Sequence, residues 1–64
     1  MSNSLIDLNK ASVHITNCFT AYTVYDEGNM SAEDCIQTLM DEIYHINVGI
    51  TNTKNRLQKF VEMI

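Results

Sequence analysis

Basic residues are scarce in this 64-residue chain: Lys10, Lys54, Arg56 and Lys59 face eight acids, for a formal net charge of −4. Affinity for a nucleic-acid backbone comes from neutralising several phosphates together, so four scattered cations make direct DNA or RNA binding an unsuitable role. Cysteine is equally sparse. Cys18 and Cys35 are too few for a disulfide scaffold and are expected to be reduced thiols, in keeping with a cytoplasmic location. Met1-Ser2-Asn3-Ser4 shows neither the basic region nor the apolar stretch of a secretory leader. No apolar run approaches the roughly 18 residues that a bilayer-spanning helix needs, so no membrane role is expected. There is no glycine-rich phosphate loop, dinucleotide fingerprint or nucleophile elbow, because the only glycines are Gly28 and Gly49.

What the chain does contain is enough apolar content to fold, at 45% hydrophobic residues, which places it above the range of intrinsic disorder. Its length allows one small domain over residues 1–64. A chain this short buries only about 60% of the surface its unfolded form exposes, so a lone monomer is marginal.

The clearest signal is periodicity. Steps of three and four residues connect Leu8, Ala11, Ile15, Cys18, Tyr22 and Tyr25 into one helical stripe. A longer stripe runs through Ile36, Leu39, Ile43, Ile46, Ile50, Thr53, Leu57, Phe60 and Ile64, with eight of its nine positions apolar, as in a heptad seam. Each stripe is preceded by a serine with a carboxylate three residues on, Ser4 with Asp7 and Ser31 with Asp34, the pattern of an N-cap that satisfies free amides at the positive end of a helix. Between the stripes, Asp26-Glu27-Gly28-Asn29 supplies residues that tolerate a left-handed helix stop. The expected fold is an all-α antiparallel helical hairpin: a helix over 4–25, a loop over 26–30 and a long second helix over 31–64.

Two segments oppose this pattern. Thr20–Tyr25 is rich in β-branched and aromatic residues, which suit a strand, but no partner strand is present. Asn47–Thr53 contains almost no strong helix formers, and a turn near Gly49 would convert the hairpin into a three-helix bundle. The heptad phase passes through 47–53 without a slip, which favours a continuous helix. In a continuous helix Gly49→Ala is expected to raise the melting temperature, and in a turn to lower it.

Helix lengths of roughly 33 and 51 Å, at 1.5 Å per residue, leave the end of the second helix uncovered. That overhang carries Leu57, Phe60, Val61 and Ile64, so assembly into a homo-dimeric helical bundle or a higher oligomer is expected.

Chemistry finds little support. His14 and Cys18 are four residues apart on one helix face, but with Cys35 and His45 the four do not converge cleanly in a hairpin pivoting near residue 28, so no metal is expected. Tyr44 and His45 are helix neighbours and should not face each other. The expectation is therefore a non-enzymatic protein without cofactors. It would act as a protein–protein interaction module (an adaptor, regulator or inhibitor) that presents an apolar helix face to a larger protein partner through Met40, Tyr44, Leu57, Phe60, Val61 and Ile64. The alternative uses the acids Asp26, Glu27, Glu33, Asp34, Asp41 and Glu42 as a phosphate mimic, making the chain an inhibitor of a nucleic-acid-binding protein, of viral or mobile-element type.

Overall fold

The computed structural model describes the backbone of residues 2–63 and the side chains of residues 5–63. Helix α1 spans Ser2–Asp26 and helix α2 spans Ala32–Glu62, with no strand among the described residues. The helices lie side by side in opposite directions, since Cys35 meets Ala21, Glu42 meets His14, and Arg56 meets Asp7. This is the all-α hairpin with a long second helix. The three-helix alternative is overturned, because α2 continues through Gly49.

Hydroxyl groups explain how the poor helix formers are accommodated. Thr16, Thr20 and Thr23 donate to the carbonyls of Ser12, Thr16 and Phe19, and Thr53 donates to that of Gly49 at 3.0 Å. Each β-branched residue thus places its polar atom on the preceding turn of its own helix, leaving only the methyl group to pack.

Ser31 is the expected cap. Its backbone is extended at φ −71° and ψ 156°, and its hydroxyl accepts from the Asp34 amide at 3.1 Å, with Glu33 and Asp34 in the first turn. Ser4 is not a cap, because α1 begins at Ser2 and runs through it. Nothing in Ser2-Asn3-Ser4 forbids helical backbone, and the pattern at Ser4–Asp7 marked a possible start without requiring one.

At its other end α1 closes with a double turn. The Asn29 amide donates to Val24 O at 3.0 Å and the Gly28 amide to Tyr25 O at 2.9 Å, around Gly28 at φ +81°. That is a Schellman stop, and its left-handed residue favours glycine. Open space surrounds the position where a Cβ would stand, so Gly28→Ala introduces backbone strain alone. It is expected to cost about 1–2 kcal/mol, or several degrees of melting temperature in a thermal denaturation.

The packing seam differs from the sequence stripes in a regular way. Along α1 the less accessible positions are Asp7, Ala11, His14, Cys18, Ala21 and Val24, and along α2 they are Cys35, Thr38, Leu39, Glu42, Ile46, Gly49, Thr53 and Arg56. Five stripe residues (Ala11 and Cys18; Leu39, Ile46 and Thr53) enter the seam, while Tyr25 and Phe60, next in the same alternation, stay exposed. The alternate ones (Leu8, Ile15 and Tyr22; Ile36, Ile43, Ile50 and Leu57) give way to the residue just before them, which is smaller or charged. Among the described residues the buried hydrophobic ones are Ala11, Ala21 and Cys35, and no large side chain is fully enclosed.

Small residues allow the two backbones to approach closely. Gly49 is buried in α2, and a Cβ built on it would stand 2.9 Å from the Asp7 carbonyl oxygen and 3.3 Å from the Ala11 Cβ. The glycine is therefore required by the neighbouring helix, and the expected gain from Gly49→Ala in a continuous helix is overturned.

Candidate functional site, an uncovered apolar face

Displacing the seam by one residue determines which surface stays open. Each step along a helix turns by about 100°, and in an antiparallel pair the residues immediately after the seam positions turn toward the same side of both helices. Leu8, Ile15 and Tyr22 on α1 and Ile36, Ile43, Ile50 and Leu57 on α2 all occupy that side, each in heptad spacing and each 40–59% exposed. Leu5, Phe19, Met40 and Val61 border it and are more exposed still. At the loop end the face is grooved, with Tyr22 and Tyr25 on one wall and Ala32, Cys35, Ile36 and Leu39 on the other. At the open end Ile50, Leu57 and Val61 line a second open groove with Lys54 at its edge.

The opposite side is more polar, presenting Lys10, Asn17 and Thr20 from α1 and Thr38, Asp41, His45 and Asn52 from α2, with Ile6, Val13 and Val48 as scattered apolar residues. Here the seam carries a charged cluster. His14 Nδ1 lies 2.5 Å from Glu42 Oε2, and the Asn17 amide donates to the same carboxylate at 3.3 and 3.4 Å. The His45 ring stacks on His14 with centroids 4.7 Å apart, and Tyr44 meets His45 edge-on at 5.4 Å. That last contact corrects the expectation that helix neighbours stay apart: the Cβ atoms diverge, but long rings lean toward each other. One heptad further out along α1, the Arg56 guanidinium donates to the Asp7 carboxylate.

The His14 hydrogen bond holds the Glu42 carboxyl below its ordinary value; burial works against this, while the Asn17 amide and the charge of His14 and His45 add to it. A carboxyl that is more acidic when folded stabilises the fold fully above its unfolded value, and that stabilisation is lost as pH falls through the lowered value. Glu42→Gln should therefore be less stable than the parent at neutral pH, and the gap between the two melting temperatures should close on acidification. A gap that stays constant with pH would show that the carboxylate charge contributes nothing.

The other expected site residues separate into groups. Met40, Leu57 and Val61 belong to the apolar face or its border; Tyr44 points away from α1, on the back of α2; Phe60 lies in the overhang; and Ile64 falls outside the described residues. The overhang is present but shorter than expected, because α1 begins earlier: α2 has 31 residues against 25, a difference of roughly 9 Å. Of the acids, Asp26, Glu27, Glu33 and Asp34 gather around the loop, Asp41 is on the polar side, and Glu42 turns inward to His14, so the six do not form one face. Cys18 is half-buried and Cys35 buried, both as free thiols. Among the described residues no group of three or more His, Cys, Asp or Glu side chains is placed to hold a metal ion, and no helix is long and apolar enough to cross a membrane.

Comparison with protein-family models, curated proteins and solved structures finds no match to this chain.

Proposed function

We propose that the chain is a non-enzymatic protein-interaction module, a small regulator or adaptor whose contact surface is the apolar face of the hairpin. The observation that supports this reading is the one-sided arrangement of heptad-spaced residues left open beside a seam of small ones. Apolar side chains set every three and four residues along two parallel rows are what a helical partner needs in order to interdigitate. The polar side offers less for catalysis: its groove is lined by Asp7, Lys10, His14, His45, Val48, Gly49 and Asn52, without a hydroxyl or thiol nucleophile beside the imidazoles.

A photo-crosslinking side chain placed in turn at Ile43, at Asn52 and at Glu33 tests the apolar face, the polar side and the acidic loop end. Protein adducts are expected from Ile43, undiminished between low salt and about 1 M salt, because apolar contact is not screened. Adducts from Glu33 alone that vanish as salt rises would replace this reading with the acidic phosphate mimic.

A further inference from the structure

We infer that the occupant of the apolar face is a second copy of this chain, packed antiparallel so that the two loops lie at opposite ends of a four-helix bundle. The inference rests on the reading of that face as a contact surface.

Area gives the first argument. The hairpin exposes 5131 Å². A compact monomer of its 7.3 kDa exposes about 4,200 Å², so roughly 950 Å² is in excess, close to the ~800 Å² that each partner contributes to a standard stable interface. Need gives the second. Ordering the backbone costs about 1–2 kcal/mol per residue, and a seam whose fully buried apolar groups are two alanines and a cysteine offers little to offset it. The seven heptad-spaced residues would supply the missing core, completed on the other side by the same seven from the partner.

Charge then selects both the identity of the partner and its direction. The loop half of the hairpin holds Asp26, Glu27, Glu33, Asp34, Asp41 and Glu42, and no lysine or arginine lies between Lys10 and Lys54. The open half holds all four basic residues, with Asp7 and Glu62 as its acids. A two-fold axis perpendicular to the helices lays the acidic half of one copy along the basic half of the other, at both ends at once. A two-fold axis along the helices would stack acid on acid. The overhang makes the same choice: only in the perpendicular arrangement do Leu57 and Val61 of one copy extend over the loop-end groove of the other, where Tyr22 and Ile36 are exposed. A lipid surface is a poorer occupant, since membrane-lying helices carry lysine and arginine beside their apolar stripe and this chain is acidic.

Light scattering across micromolar concentrations, with circular dichroism on the same samples, gives the first readout: the expected mass is twice 7.3 kDa. Carbodiimide coupling of a mixture of ¹⁴N- and ¹⁵N-labelled chains gives the second, because mixed-isotope products report bonds between copies. These should join Lys54 or Lys59 to Asp26, Glu27, Glu33 or Asp34. Ile43→Asp should weaken the dimer by about a hundredfold or more, and Tyr44→Asp, on the back of α2, should leave it intact. A helical species of 7.3 kDa, a dimer coupled between copies only through Asp7 or Glu62 or not at all, or a dimer indifferent to Ile43→Asp overturns the inference. Should Ile43→Asp fail to fold, the coupling pattern of the parent chain still decides. A helical monomer whose Ile43 still crosslinks to a different protein would overturn the second copy alone and leave the contact face standing.

Discussion

Gly49→Ala lowers the melting temperature of the hairpin, by about 4–8 °C for a net loss near 1 kcal/mol, even though it improves the helix in which it sits. Alanine gains up to about 1 kcal/mol over glycine in a helix interior. Against that stands a Cβ 2.9 Å from the Asp7 carbonyl oxygen, a backbone atom of the neighbouring helix that no rotamer change can move. Overpacking of this kind costs about 1–3 kcal/mol, and in a two-helix structure it is relieved only by prising the helices apart along their length. Thermal denaturation of the full chain measures the net loss, at roughly 4–8 °C per kcal/mol for a domain of this size. A peptide covering α2 alone should respond in the opposite direction and become more helical, which separates a packing requirement from a turn. A rise in the full chain would mean that the helices ride farther apart than described.

Ala21→Leu produces the second large effect. Ala21 is 5% exposed and lies against Cys35, which is 4% exposed and whose thiol points at the Ala21 carbonyl at 3.8 Å. Leucine adds three carbons between two helices already in contact, at a cost of about 1–3 kcal/mol, although it makes the segment more apolar. Tyr22→Leu, one residue further on and 57% exposed, leaves the seam unchanged. If Ala21→Leu stabilised the chain instead, the seam assignment would be wrong and the row of Leu8, Ile15 and Tyr22 would face α2.

These two substitutions show where the sequence could be read and where it could not. Both helices, the loop, the Ser31 cap and the stop at Gly28 follow from spacing and residue type, because caps and left-handed positions depend on neighbours within a few residues. Continuity through Asn47–Thr53 was legible from heptad phase, and the Thr53 hydroxyl on the Gly49 carbonyl explains how it is tolerated. The direction in which each helix faces was not legible. A stripe is drawn through the largest apolar residues, on the premise that burial energy scales with area, and Ile36 outweighs Cys35 on that scale. The hairpin seam is chosen by how closely two backbones fit, which favours Ala21, Cys35 and Gly49 instead. A signal was available in the pairing of positions: a pivot at residue 28 sets His14 opposite Glu42, a complementary pair on facing helices. Apolar count alone cannot find a contact made by charge.

The same charges have a consequence for alignment. Shape fixes the alignment at one point, where Gly49 receives the Asp7 carbonyl, and elsewhere the small residues Ala11, Cys18, Ala21 and Cys35 give it little relief, so charge sets the rest. Sliding by one heptad, about 10 Å, in one direction brings Asp7 level with Glu42, acid beside acid. In the other direction Glu42 comes to rest beside Ala21, without the donors that His14 and Asn17 supply. Only the described alignment satisfies Glu42 and Asp7 together, with Arg56 reaching back to the latter. The connecting turn is then dispensable as a ruler. Supplied as two separate peptides, α1 and α2 would still find the same stopping point, and the loop can change in length so long as a left-handed residue ends α1, as Gly28 does, and a hydroxyl caps α2, as Ser31 does.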